Sequence, residues 1–265
     1  MKKQTKSRID CQHFIGFSDS DFGKKCNHLY EMIYVVSGNG GIKIEGTFLP
    51  FEKHTIYLLK PLTYYEIFAD SGAESERYHV SFSSANLGEE LRTFLSSLFA
   101  DNTPCAIHRD FSFSEISRIF NGLNYADKLS GEGREQYLSA MVVQLLVFIS
   151  SLDKRNVVAS SNDLAAEVAD YIMDNIKNCN FLSLDEIAKT FFVSKYYLCR
   201  IFKSYSGISI HAYINHKRIM IAKQYMDSGM SAMDASKKVG YLDYSAFYRA
   251  YVKVVGKSPR SEKGE

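Results

Sequence analysis

The sequence predicts two domains, an all-β barrel or sandwich with appended helices in front and an all-α domain behind. The back domain is expected to carry two helix-turn-helix units joined by a linker helix. Three observations lead there. Short runs rich in β-branched and aromatic residues recur between residues 10 and 83. A small, polar stretch at 154–162 separates them from helical patterning that continues to the end. Within the last hundred residues one helical unit occurs twice, with Ser194 and Asp243 in matching places. The expected boundaries are 1–153, a linker at 154–162, and 163–265.

The totals fit this division. A chain of 265 residues is long for one domain and comfortable for two. The most apolar stretch, 141–149, contains Gln144 and is far too short to span a bilayer. The basic start, 1–8, leads into no apolar core of signal-peptide length, so a cytoplasmic protein without membrane contact is expected. Five cysteines, at 11, 26, 105, 179 and 199, form no CxxC pair and read as reduced thiols. Charge is uneven: residues 1–163 carry 17 Lys/Arg against 20 Asp/Glu, whereas 164–265 carry 15 against 10. From Ser194 onward the balance is 13 basic to 5 acidic, which suits a polyanion partner at the back of the chain.

Taken in order, the first strand candidate is 29–37, and Gly38-Asn39-Gly40-Gly41 after it supplies the positive φ of a hairpin turn. Residues 42–45 alternate with period two, and 55–59, 64–68 and 78–82 are further strands. Residues 86–99 and 112–130 read as helices. In the helix 136–152, Leu138, Met141, Leu145, Phe148 and Leu152 are spaced 3, 4, 3, 4, a seam suited to pairing with a second copy or to packing on its own domain.

Each helical unit of the back domain divides into an apolar inner face and a basic, aromatic outer face. In the first, Leu184, Ile187 and Ala188 are the buried side of a short helix, and Ser194 caps the next. On that second helix Tyr197, Leu198, Ile201 and Phe202 are expected to face inward, and Lys195, Tyr196, Cys199, Arg200 and Lys203 outward. In the second unit Gly240 suits the turn and Asp243 the cap. Phe247, Ala250 and Tyr251 face in; Tyr244, Ser245, Tyr248, Arg249 and Lys253 are left for a partner. A recognition helix needs this division, because an apolar back holds it rigid while its front meets base edges and phosphates. The helix between the units, 209–226, is about 27 Å long at 1.5 Å per residue, near one turn of B-DNA.

The stretch from about 168 to 259 resembles the DNA-binding domain of AraC/XylS-family transcriptional regulators. The likeness is carried by Ile187-Ala188, Val193-Ser194, Tyr197-Leu198, Arg200, Phe202-Lys203, Gly207, Tyr213-Ile214, Arg218, Ala222, Val239-Gly240-Tyr241, Asp243, Phe247, Arg249, Tyr251, Lys253, Gly256 and Ser258-Pro259. It implies contacts to double-stranded promoter DNA from Tyr196, Cys199, Arg200, Tyr244, Ser245, Tyr248 and Arg249, with RNA polymerase as a further partner, and a structural role for Arg218. The sequence departs from the family at Ala235-Ser236, where an Ile-Ala pair is usual, and at Glu262-Lys263 near the end.

The front resembles the cupin-like sensor domains of the same family, through His28, Glu31, Gly38, Leu58-Leu59 and Pro61. That implies a cupin-like barrel serving effector binding and homodimerisation. Cupin enzymes hold a metal with an H-x-H cluster, but Cys26-Asn27-His28 stands here, and Tyr65 replaces a later His. No metal and no cofactor are therefore expected, and no catalysis. Candidate effector-binding residues are His28, Tyr30, Glu31, Tyr34, Tyr57, Tyr65 and His79, a mixture of aromatic and hydrogen-bonding walls suited to a small polar molecule such as a sugar. Two rivals are a regulator whose front domain only dimerises or binds a protein, and a cupin enzyme with an appended DNA-binding domain.

Overall fold

A computed structural model describes residues 9–16, 24–69, 75–100, 103–109, 111, 113–152, 156–158, 164–178 and 182–259. The chain divides into two compact units, 7–160 and 161–265. No helix among the described residues is long and apolar enough to cross a membrane.

Among its described residues the front unit holds ten strands: β1 (Ile9–Ile15), β2 (Lys24–Cys26), β3 (Tyr30–Ser37), β4 (Gly40–Ile44), β5 (Thr47–Pro50), β6 (Thr55–Leu59), β7 (Tyr64–Ala69), β8 (Glu76–Phe82), β9 (Cys105–His108) and β10 (Asn156–Val158). They form two antiparallel sheets, ordered β1-β8-β3-β6-β9-β10 and β2-β7-β4-β5. Two expectations are corrected here. The strands do not close into one barrel; among the described residues they stay in separate sheets. The glycine turn after β3 closes no hairpin either. β3 pairs with β6 and β8, and β4 with β5 and β7, so Gly38 (φ 115°) and Gly40 (φ 141°) carry the chain from one sheet to the other. Part of the expected linker is also sheet: β10 pairs with β9, giving its outer backbone groups partners they would otherwise lack.

The central strands are buried on both faces. From β3, Met32 and Tyr34 join Ile56, Leu58, Tyr78, Val80 and Phe82 in a cluster with the helices. Their neighbours Ile33 and Val35 join Ile42, Ile44, Tyr57, Leu59, Tyr65 and Ile67 in a second apolar cluster that unites strands of both sheets. Covering both faces explains the near-continuous apolar runs of β3 and β6, which carry no clean alternation to read.

Three helices supply that first cluster: α1 (Glu89–Leu98), α2 (Phe113–Tyr125) and α3 (Gly131–Ser150). A Cβ at Gly122 would lie 2.8 Å from Met141 Cε, so the tip of the Met141 side chain packs where a larger residue on α2 would displace it. The predicted pairing seam on α3 is corrected in part. Leu138 and Leu145 are fully buried in the unit's own core and cannot meet a second copy without unpacking it. Met141 and Phe148 are only partly buried, and they border a groove with Arg118, Ile119, Gln144 and the exposed Val147. Leu152 lies just past the end of α3, half-buried.

The back unit is helical: α4 (Leu164–Asp174), α5 (Leu184–Thr190), α6 (Lys195–Ser206), α7 (Ile210–Asp227), α8 (Ala232–Lys238) and α9 (Tyr244–Val255). Sequence sets nearly every boundary. Ser183, Ser194, Ser209 and Ser231 each accept a backbone N–H three residues on, and Asp243 accepts from Ser245 and Ala246, satisfying donors the first helical turn leaves open. Gly207 (φ 69°) and Gly256 (φ 76°) end α6 and α9 in the left-handed conformation. Arg218 Nε donates to the Ile176 carbonyl at 2.9 Å and ties α7 to the segment after α4, the structural role its place suggested.

Candidate nucleic-acid interface

Two helix pairs, α5–α6 and α8–α9, repeat one geometry to the level of single hydrogen bonds. Phe191, Phe192 and Val193 donate to Ile187, Lys189 and Ala188; Val239, Gly240 and Tyr241 donate to Ala235, Lys237 and Ser236. All three bonds recur at one constant offset, which carries Phe191 onto Val239. The capping serines Ser183 and Ser231 share that offset, but the caps of the second helices, Ser194 and Asp243, do not. The second turn is longer by a single residue, and the added residue is Leu242. The left-handed position is Gly240 (φ 89°) in the second turn and Phe192 (φ 55°) in the first.

Beneath each second helix lies an apolar anchor. Leu198 and Phe202 of α6 are fully buried, as are Phe247 and Tyr251 at the matching places of α9. Phe202 meets Tyr213 of α7 edge-on at 5.1 Å. Ala235 and Ser236, the departure noted in α8, are buried nonetheless, and the Ser236 hydroxyl donates back to the Met233 carbonyl at 2.7 Å. A hydroxyl satisfied within its own helix fits where an apolar residue was expected.

The outer faces carry the residues the sequence put there. Lys195, Tyr196, Cys199, Arg200 and Lys203 on α6 are exposed, and so are Ser245, Tyr248, Arg249 and Lys253 on α9. Tyr244 is half-buried, its ring 5.8 Å from Phe247. One expectation fails: Tyr197 is 41% exposed rather than inward, and the Arg200 guanidinium lies 5.5 Å over its ring. The ring holds the arginine flat against α6 while leaving its N–H fork at the surface. Lys195 Nζ is 2.6 Å from Asp185 Oδ1, an exposed pair that a phosphate would have to compete with.

Four residues of this unit escaped the sequence reading. Phe192 and Leu242 are 96% and 99% exposed. The available signal for Leu242 is the offset between the two units, which is larger after the turn than before it. On α7, Lys217 is buried with its ammonium 4.7 Å from the Tyr213 ring. Burial, reinforced by that ammonium, pulls the neighbouring His216 imidazole down to about 4.

The effector candidates do not form one site, because adjacent residues of a strand point to opposite faces. Tyr30 and Tyr34 lie on the helix-covered face, where Tyr34 stacks on Phe120 at 4.6 Å and Tyr30 on Phe82 at 5.5 Å. Tyr34 is corrected to a core residue and Tyr30 to a partly buried one packed against that core. Tyr57 and Tyr65 belong to the other face, as does His79, which is paired across the ladder with Ile33. Tyr57 donates to the Pro50 carbonyl at 3.1 Å. Glu31 accepts from Asn27 at 3.2 Å and bonds Tyr65; burial outweighs those bonds and raises its carboxyl above the usual range. His28, in the turn beside them, is buried.

A family model described as a helix-turn-helix domain matches residues 187–263, from within α5 to beyond α9. The HTH-type transcriptional regulator YfiF of Bacillus subtilis is 24% identical over 242 residues, 87% of this chain and 75% of its own length. The transcriptional regulatory protein HptR of Staphylococcus aureus is 27% identical over 161 residues, 57% of this chain and 64% of its own. Among solved structures, ToxT from Vibrio cholerae aligns at 14% identity with a TM-score of 0.42, over 96% of this chain and 97% of its own.

Proposed function

We propose that the chain is a transcriptional regulator of the AraC/XylS type that reads promoter DNA with two recognition helices, α6 and α9, one per helix-turn-helix unit. The observation that carries this is the repeat itself. Two capped, rigidly backed helices present Arg200 and Arg249 at matching places, each the same distance along the chain from its cap. Arginine's planar fork matches guanine O6 and N7 in the major groove, so these two are the readers. Lys203 and Lys253 grip phosphate. The test is selection of bound sequences from random duplexes by the whole chain, followed by affinity measurement across salt concentrations. A two-part site one helical turn between centres is expected, with affinity falling steeply as salt rises. Sequence-blind binding would overturn the assignment of readers.

The front unit then supplies control. Glu31, bonded to Asn27 and Tyr65, sets a polar group at the border of the space between the two sheets, which suits a small polar effector such as a sugar. A second reading has its own support: Ile33, Val35, Ile42, Ile44, Leu59 and Ile67 fill much of that space, which favours a front unit that only pairs subunits. Thermal shift of the whole chain against a panel of sugars separates the two. Pairing is assigned to the α2–α3 groove, with Met141, Val147 and Phe148 as its apolar contacts and a homodimer as the product. RNA polymerase is the downstream partner.

A further inference from the structure

We propose that Leu242 is a specificity-determining residue that reads the C5-methyl group of a thymine in the half-site bound by α9. The inference rests on the DNA-reading function above and adds a reader that the repeat does not predict. A single exposed leucine is ordinary on a protein surface. Three observations set Leu242 apart.

The first is its origin. The two turns keep the same three hydrogen bonds in one register, from Phe191 and Val239 through Val193 and Tyr241. The register slips by a single position only afterwards, before the caps Ser194 and Asp243. Leu242 is the residue added at that break, directly before the N-cap of α9. The first turn has no counterpart.

The second is how it is held. Tyr241 on one side is anchored inward: its ring meets Phe247 edge-on at 5.5 Å, and its hydroxyl donates to Asn215 of α7 at 3.3 Å. Asp243 on the other side is fixed by accepting the Ser245 and Ala246 N–H groups at 3.1 and 2.9 Å. Both neighbours are tied down, and the side chain between them is 99% exposed. The backbone that carries it is held on both sides, so little backbone freedom remains to be lost on binding.

The third is chemistry and place. The N-terminal end of a recognition helix is the part that meets base edges. The thymine methyl is the one apolar group on those edges, and an aliphatic side chain is its natural partner. Arg249 and Ser245 offer hydrogen bonds, which do not distinguish a methyl from a hydrogen at that carbon; Tyr248 lies five residues past the cap, farther from the helix N-terminus than Leu242.

The test uses the whole chain and the duplex it selects. Each thymine of the second half-site is replaced singly by deoxyuridine, which removes only the methyl group. One such replacement should weaken wild-type binding roughly three- to tenfold, the worth of one or two buried carbon groups. Leu242→Ala should weaken binding to the thymine duplex by the same factor and lose nothing further on that deoxyuridine duplex. Its melting temperature should match wild type, since the side chain is almost fully exposed. The inference is overturned if Leu242→Ala binds both duplexes like wild type or loses equally on both. It is also overturned if no deoxyuridine matters, or if the selected half-site has no thymine there. A wild-type chain that selects no sequence at all fails at the earlier step; where a duplex is selected, a loss with Arg249→Ala but none with Leu242→Ala overturns the Leu242 inference alone.

Discussion

The sheet unit and the helical unit bury their side chains by different rules. In α6 and α9 one face is core and the other is surface, so a residue that reads DNA can change without touching an anchor such as Phe202 or Tyr251. In β3 and β6 both faces are covered, one by helices and one by the second sheet's side chains, so a candidate effector contact such as Tyr34 is also a core residue. Function and stability are separable in one unit and entangled in the other. Substitutions should therefore split into binding losses at the back and folding losses at the front, and that split can be broken experimentally.

The largest effect is expected on α3. Leu145→Lys places a charge in a fully buried site and should cost about 3–5 kcal/mol, unfolding the front unit rather than dissociating a dimer. Val147→Lys, two residues on but 52% exposed, should leave the melting temperature within a degree or so and give monomers in ultracentrifugation. If Leu145→Lys melts like wild type, the two-sided packing described for this unit is wrong. If Val147→Lys remains dimeric, the pairing surface lies elsewhere.

The seam also shows what a sequence can and cannot reveal. Its 3-4-3-4 spacing correctly marked an apolar stripe on a helix, yet period alone does not say which neighbour covers the stripe. Leu138 and Leu145 pack in one cluster with residues of α2 and of the sheet, which a helical period cannot reveal. The helical unit was more legible because its determinants are local. Ser194, Asp243, Gly207 and Gly256 fix ends within a few residues of themselves, and the helical period sorts inner from outer positions. Tyr197 was misplaced for a local reason too: it sits at the edge of the buried arc, where the Arg200 guanidinium covers it instead of the core. In the front unit the missing information is non-local. Whether Tyr30 or Glu31 faces the second sheet depends on strands β6 and β8, distant in sequence.

Next in size are the readers. Arg200→Ala and Arg249→Ala should each cost about 1–3 kcal/mol on the selected duplex and much less on a scrambled one at the same salt. Lys203→Ala should weaken both duplexes alike. Equal losses on the two duplexes for both arginine variants would reassign them to phosphate, and the separation between anchor and reader would lose its clearest example.

A smaller effect concerns the one helix that joins the two readers. The folded unit holds the His216 imidazole at about 4 against 6.5 for an ordinary one, so the unfolded chain binds the proton more readily. Stability is fully present above pH 6.5 and is lost as pH falls toward 4. Discounted for its partial exposure, the loss between pH 7.5 and pH 5 should be about 1–2 kcal/mol. His216→Gln should remove that part of the acid sensitivity. Denaturation of the two proteins at both pH values checks it, and a pH dependence unchanged by the substitution would show that His216 is not held neutral by burial.

The smallest effect tests the comparison between the two turns. Gly240 and Phe192 occupy the same left-handed position of their turns, and only Gly240 adopts it without strain. An L-residue there costs about 1–2 kcal/mol. Phe192→Gly relieves that strain, but glycine also frees the unfolded chain, which offsets about 0.5–1 kcal/mol. The ring is 96% exposed, so its removal forfeits almost no buried surface. The net expectation is a stabilisation of about 0–1 kcal/mol, read as a shifted urea midpoint with an unchanged slope. Gly240→Ala should move the midpoint the other way, by about 1 kcal/mol. DNA affinity of Phe192→Gly should stay close to wild type, because the residue lies two positions before its cap while Leu242 lies directly before its own. A marked loss of affinity with no loss of stability would place the Phe192 ring on the DNA as well, and the two turns would then differ in length but not in use.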